Sequence, residues 1–192
     1  PALKKIAGWL LKLTDHDGLT FVMTGSAVKY LMDNCEVYRG LSDFAWLLNE
    51  LGDPEAAFFE SRAKAVALGV ERQLWNRRKK YYHPSKTGWW WRPCVNLKKF
   101  YPDATCQLFP ALYGIIAADS DRGTNLYELF NRYHPNWLEI KPPEFPWTIL
   151  GYCAALQGDY QRAYDKLRYV RREYIDAKSG NWFCAEAAFF VL

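Results

Sequence analysis

The chain has few of the signatures that announce a function from sequence alone. Its five cysteines (Cys35, Cys94, Cys106, Cys153 and Cys184) are odd in number and widely spaced, with no C-x-x-C pair. Neither a disulfide framework nor a redox motif is written there. Four of them sit among apolar or helical neighbours, where a free thiol behaves as a small hydrophobe. His16, His83 and His134 are equally scattered, which leaves no zinc-type ligand spacing, so no metal or other cofactor is expected. There is no P-loop, no G-x-G-x-x-G and no Ser-His-Asp ordering, so nucleotide and acyl-transfer chemistry have no motif behind them. No apolar run approaches the roughly 20 residues needed to span a bilayer. The chain opens on an amphipathic helix rather than a signal peptide. That opening leaves the compartment open between cytoplasm and periplasm.

Concentrated charge is also missing. There are 25 basic and 21 acidic residues, a formal charge of +4. The only tight basic run is Arg77-Arg78-Lys79-Lys80, and Arg168, Arg171 and Arg172 spread along a later helix. Nucleic-acid binders usually gather charge more heavily. These residues read as solvated faces, and neither a nucleic acid nor a membrane is an expected partner.

Aromatic residues are what the chain has in quantity. Nine Trp, 13 Tyr and 11 Phe make 17% of it, and many fall between segments that read as helices. Trp89, Trp90 and Trp91 run together, and Tyr133, Trp137, Phe145 and Trp147 fill one connection. Buried rings in loops pack over helix ends. Rings presented by polar loops make stacking surfaces for sugars or nucleobases. Both readings stand on sequence alone.

The periodicities predict an all-α chain with one small β-hairpin or aromatic flap. A first helix, residues 1–13, carries Leu3, Ile6, Leu10 and Leu13 on one stripe and stops at Asp15-His16-Asp17-Gly18. That phrase hints at a calcium loop but lacks the later ligand positions, so it reads as a turn. A longer helix from about Asn34 places Val37, Leu41, Phe44, Leu48 and Leu51 at helical spacing. Gly52-Asp53-Pro54 then turns into a helix over residues 55–75, with Pro tolerated at its first position. Residues 81–91 read as the hairpin or flap. Helices follow at 104–118 and 125–133. Beyond a Pro-rich connection, residues 135–146, come helices at 147–157, 160–177 and 182–192. The last is apolar to its end, and Phe189, Phe190 and Leu192, like the first helix, are expected to meet a missing neighbour or a second copy. Gly52-Asp53 and Gly158-Asp159 look like inner turns of helical repeats. Their 106-residue separation departs from the ~34-residue period of tetratricopeptide repeats. A regular repeat scaffold that binds a protein partner in its groove is therefore the alternative reading.

The order of several phrases resembles the six-hairpin glycosidase superfamily. They are Asp17-Gly18-Leu19; Tyr30-Leu31-Met32-Asp33-Asn34-Cys35-Glu36; Leu51-Gly52-Asp53; Leu74-Trp75; Tyr101-Pro102-Asp103-Ala104-Thr105-Cys106-Gln107; Phe145-Pro146-Trp147; Gly158-Asp159; and Asn181-Trp182 ahead of Glu186. The resemblance implies a single α/α-toroid-like domain over residues 1–192. With about eight helices against twelve in a complete ring, it implies a partial or shortened one. It also implies a carbohydrate-active protein that binds or hydrolyses an oligo- or polysaccharide, with long loops and helix starts around the cleft.

Glycoside hydrolysis typically uses two carboxyl groups flanking the bond. The resemblance points to Asp33 and Asp103 as the first pair, with Glu36 beside them. A carboxylate at a helix start is stabilised in its charged form, which suits a base or nucleophile better than an acid. The competing reading is structural: Asp33 and Glu36 form a capping-box pattern, and Asp103 can cap its own helix. Gln107 and Asn34 are candidate donors to sugar hydroxyls, and Glu186 is a weaker functional candidate. Trp89, Trp91, Tyr101, Trp147 and Trp182 are the candidate platforms, Trp89 and Trp91 sharing one face if the strand is extended.

Overall fold

The computed structural model describes residues 2–141 and 144–191. The described residues are mainly helical, with eight α-helices and four short strands, as the periodicities predict. The chain divides after Ile115 into two compact units. The first holds α1 (Ala2–Lys12), β1 (Val28–Tyr30), α2 (Leu31–Glu50), α3 (Ala56–Gln73), β2 (Trp75–Asn76), β3 (Tyr81–Tyr82), β4 (Ser85–Thr87) and α4 (Phe109–Leu112). The second holds α5 (Asp121–Tyr133), α6 (Ile149–Leu156), α7 (Tyr160–Val170) and α8 (Cys184–Val191).

The first unit is built on the α2/α3 hairpin. Leu41, Ala45 and Leu48 pack with Phe59, Ala63 and Val66, and Phe44 meets Phe59 edge-on at 4.8 Å. Helix α1 joins through Ala7 and Leu11, not through the stripe expected from its sequence. Leu3 and Ile6 are exposed, because the small Ala7 faces inward and Lys4 turns toward Asp53 and Glu55 at the hairpin turn.

The second unit repeats this plan with α5 and the α6/α7 hairpin. In both turns a glycine adopts the left-handed conformation, Gly52 at φ +66° and Gly158 at φ +74°. The next N–H then reaches back five residues, Asp53 to Leu48 O and Asp159 to Ala154 O, each at 2.9 Å. This is the Schellman termination, which a side chain with a Cβ disfavours. Each Asp carboxylate then starts the following helix. Asp53 accepts Glu55 N–H at 3.0 Å and Asp159 accepts Arg162 N–H at 3.3 Å. Each is also tied to the helix that comes before its hairpin, Asp53 by Lys4 of α1 at 2.7 Å and Asp159 by the Tyr127 hydroxyl of α5 at 3.0 Å.

Several boundaries differ from expectation for local reasons. Helix α2 starts at Leu31 because β1 runs straight into it. The continuous helix expected over 104–118 is instead a kinked π-type turn, Phe100–Ala104, a 3-10 turn, Thr105–Leu108, and the short α4. Pro102 and Pro110 lack the N–H that a longer helix needs there. Helix α5 begins early because the Ser120 hydroxyl accepts Gly123 N–H at 3.1 Å. Helix α7 passes into a π-type turn at Arg171–Asp176. In the terminal helix Phe189 and Phe190 are half-buried, while Leu192, like Pro1 and the Pro142-Pro143 pair, lies outside the described residues.

The strands form two ladders rather than one hairpin over 81–91. Trp75 and Asn76 pair with Tyr82 and Tyr81. Val28, Lys29 and Tyr30 pair antiparallel with Thr87, Lys86 and Ser85. Both ladders sit at the end of the first unit where α2 starts and α3 stops, opposite the Gly52-Asp53 turn.

Candidate functional site

Glycine lets the base of this end form. The turn at Asp15-His16-Asp17-Gly18 lies directly on α3. A methyl group at Gly69 would stand 2.9 Å from Asp17 O, and one at Gly18 would stand 2.5 Å from Ala65 O. That contact delivers Asp17 beneath the β1–β4 ladder, where Lys29 and Lys86 face each other in register. Both lysines are buried, and like charges directly opposite each other are destabilising. Asp17 resolves the conflict. Lys29 Nζ lies 2.8 Å from both of its oxygens and Lys86 Nζ 2.6 Å from Oδ2. Lys29 also reaches Asp15 at 2.5 Å, and Lys86 reaches Gln73 of α3 at 3.0 Å. The Lys29 hydrogen bond holds Asp15 down at about 2. Burial works to raise Asp17, but the two lysines outweigh it and its pKa is lowered. The turn expected from sequence is therefore present, with its carboxylates filled by lysines.

The start of α2 carries the carboxyls. Tyr30, not Asp33, occupies the N-cap position, and no side chain caps there. The capping-box reading fails because the helix begins earlier, which puts Asp33 inside the first turn. Asp33 is half-buried, and burial raises its pKa against its own N–H. Glu36 reaches solvent, yet its carboxyl is raised too, by desolvation and then by the Asp33 charge. Among the described residues no cation pairs with either. Asn34, between them, is a structural residue. Its Oδ1 accepts Thr20 N–H at 2.7 Å and Thr20 Oγ1 at 3.1 Å, and its amide donates to Thr20 O and Tyr30 O. Behind this turn, burial pushes the Cys35 thiol up, with Cys106, Glu36, Glu71 and Asp33 adding to it. Cys106 is raised by burial and by Asp103. The two buried thiols thus feel the charges of Asp33, Glu36, Glu71 and Asp103.

Asp103 does not cap its own helix either. It is buried, accepts Asn96 N–H at 2.9 Å and lies 4.0 Å from Lys99 Nζ. It therefore closes the loop that presents Tyr101, an exposed residue with extended backbone inside the kinked turn. Gln107, expected as a sugar donor, is buried instead. Its Oε1 accepts Tyr82 N–H at 2.7 Å, and its amide donates to Tyr82 O at 2.8 Å and Asp103 O at 2.9 Å. Both amide hydrogens are committed to main-chain carbonyls, so Gln107 ties β3 to the Asp103 loop.

The three tryptophans do not form a strand. Thr87 N–H bonds Trp91 O at 2.9 Å, and residues 88–90 make the turn between them, Gly88 at φ +62°. The alternating-face argument for Trp89 and Trp91 therefore does not apply. All three rings project from a tight turn, with 80%, 60% and 47% of their surface exposed for Trp89, Trp90 and Trp91. Arg92 fastens the flap. It donates to Gln73 O, to Gln73 Oε1 at 3.2 Å and to Trp90 O at 3.0 Å.

Trp147 and Trp182 belong to the second unit, and both are half-buried. Trp147 has a left-handed backbone, φ +54°. Trp182 packs on Tyr169, Val170 and Tyr174 and meets Phe190 edge-on at 5.8 Å. Glu186 accepts Thr148 N–H at 2.7 Å, satisfying the start of α6. Trp137 is buried and donates to Asn131 at 2.8 Å, so in this connection the loop-packing reading holds. The buried Lys29, Lys86 and Lys166 were not foreseen from sequence. Their only signal is lysine in otherwise inward-facing positions, and it becomes legible once the strand pairing is known.

Among the described residues no helix is long and apolar enough to cross a membrane, and no three His, Cys, Asp or Glu side chains gather as metal ligands. No protein-family model matches the chain, and no curated protein matches it in sequence. Among solved structures it is similar to a GH78 family rhamnosidase of Bacillus sp. GL1, with a TM-score of 0.59 and 19% sequence identity. The match covers 92% of this chain and 18% of that one. The helical fold is thus like that of one region within a much longer glycosidase.

Proposed function

We propose that the chain is a carbohydrate-active protein of the six-hairpin glycosidase type, part of a helical toroid. The end of its first unit that carries the flap binds an oligo- or polysaccharide and hydrolyses it. The observation that carries this reading is the pair Asp33 and Glu36, which no cation pairs among the described residues and whose carboxyls burial raises, at the same end as the exposed Trp89–Trp91 rings. A raised carboxyl keeps the proton that a glycosidic oxygen must receive as its bond to the anomeric carbon breaks. Exposed indole faces hold the apolar side of a sugar ring. Glu36, which reaches solvent, is the proton donor, with Asp33 supporting its proton affinity. Asp103 fixes the loop of Tyr101. The likeness to a region of a rhamnosidase agrees with this reading at the level of fold.

The test is a titration of the 15N-labelled chain with oligosaccharides, following the indole N–H signals. Saturable shifts at Trp89, Trp90 or Trp91, lost in Trp89→Ala/Trp90→Ala, are expected. No shift with any saccharide, together with tight binding of a helical peptide, would favour the protein-binding scaffold instead.

A further inference from the structure

The flap end has an unusual charge distribution. From Arg72 to Pro102 the chain contains nine Lys or Arg residues and no Asp or Glu, although its overall formal charge is only +4. The rest of the chain is therefore net acidic. Interleaved with these cations are Trp75, Tyr81, Tyr82, the three flap tryptophans, Phe100 and Tyr101. Two of the cations are engaged within the fold: buried Lys86 binds Asp17 and half-buried Arg92 binds Gln73. Arg77, Arg78, Lys79 and Lys80 are all exposed on the turn of the β2–β3 hairpin, and Lys98 and Lys99 are exposed beside Tyr101. Among the described residues the four hairpin cations have no acidic partner.

The three pieces are fastened to one another. His83, just past β3, lies 3.1 Å from Pro93 O in the segment leaving the flap. Gln107 joins β3 to Asp103, which holds Asn96 at the start of the Lys98–Lys99 loop. The basic turn, the tryptophan flap and the basic loop thus spring from a common base, which meets the start of α2 where Leu31 N–H bonds Pro84 O at 2.9 Å.

Resting on the carbohydrate reading above, we infer that this site takes an anionic glycan, one bearing carboxylate or sulfate groups, whose charges lie on the 77–80 turn while its rings stack on the flap. The two carboxyls at the same end favour a glycan over a nucleic acid, because a protonated carboxyl serves the glycosidic oxygen of a glycan, whereas an ionised one repels the phosphate carried by every nucleotide.

The test measures calorimetric binding of the 192-residue chain to an oligogalacturonate, to the same oligomer fully methyl-esterified, and to a single-stranded oligonucleotide of equal charge. The acid form should bind about tenfold more tightly than the ester, and added salt should erase the difference. Arg77→Gln/Arg78→Gln/Lys79→Gln should abolish that preference while leaving ester binding and melting temperature unchanged. Lys80 is kept because its backbone is left-handed, φ +59°. Trp89→Ala/Trp90→Ala should weaken both saccharides. Equal binding of acid and ester, an unchanged preference in the triple variant, or tighter binding of the oligonucleotide would overturn the inference. Binding of neither saccharide would overturn the carbohydrate reading itself.

Discussion

Asp33 and Lys166 are groups of opposite sign that the fold places under the same stress, burial with no ion-pair partner among the described residues. For Asp33 burial raises the pKa, so the folded chain binds its proton more tightly than the unfolded chain does. The stability from this group is present below the ordinary carboxyl range and is lost as pH rises through the raised value. Asp33→Asn removes the penalty, and it should raise the melting temperature at neutral pH and leave it little changed at pH 4. A helix cap would behave oppositely, losing about 1 kcal/mol on the same substitution. Calorimetric melting at the two pH values distinguishes them, and a neutral-pH loss would restore the capping role.

Lys166 is fully buried in the second unit, and its Nζ lies 3.1 Å from Trp137 O and 3.3 Å from Leu138 O. Burial brings its pKa to about 7, with the charge of Glu186 on α8 opposing. The unfolded chain keeps this proton to about 10.5, so stability should climb as pH rises from 7 toward 10. It should be lowest below 7, where burying the ammonium is costly. Lys166→Met is expected to flatten that climb, an effect on the order of 2–4 kcal/mol, readable by denaturant titration at pH 6 and pH 9. An unchanged slope would mean that the ammonium stays charged in the fold.

At the scale of elements, the β1–β4 ladder depends on a charge balance between segments far apart in sequence. Lys86 and Asp17 are 69 positions apart, and Lys29 approaches Asp17 from the other strand. Asp17→Asn leaves two buried lysines facing each other, Lys29 with Asp15 as its carboxylate and Lys86 with the neutral Gln73. The expected loss is about 3–5 kcal/mol, with faster proteolysis at the flap that the ladder supports. Replacing Asp17, Lys29 and Lys86 together by apolar residues of similar size should cost far less. If Asp17→Asn melts like the native chain, the network is not what holds the ladder.

The same contrast explains what could be read in advance. The α2/α3 hairpin was legible because Leu41 and Leu48 recur at helical spacing and Gly52-Asp53 marks the turn locally. The buried face of α1 was not, since Leu3 and Ile6 fit an inward stripe equally well and the choice rests on Ala7 and on Lys4 finding Asp53. The tryptophan run could be placed in a flap but not oriented, because a bridge from Thr87 to Trp91 turns the chain where a strand was assumed. Asp33, Glu36 and Asp103 were legible as candidates from the resemblance. Their environments, desolvation for the first two and the Asn96 N–H for the third, come from tertiary contacts that local sequence does not encode.

At the scale of the whole molecule, two units use one plan, a helix followed by a hairpin whose Gly-Asp turn is tied back to that helix. Their aromatic residues differ in use. In the second unit Trp137 is buried and Trp182 packs on the Tyr169 cluster, closing over helix ends, whereas the first unit leaves Trp89, Trp90 and Trp91 exposed at the end where the raised carboxyls lie. On the proposed function, this end of the first unit performs acid-assisted glycan hydrolysis. The most direct measurement is the pH dependence of reducing-end release from a library of oligosaccharides by the native chain and by Glu36→Gln. Release by the native chain should fall as pH rises through the raised carboxyl range, and Glu36→Gln should release nothing although it stays folded. Release at equal rate and with the same pH profile by both proteins, or release of no member of the library by the native chain, would contradict the proposed function.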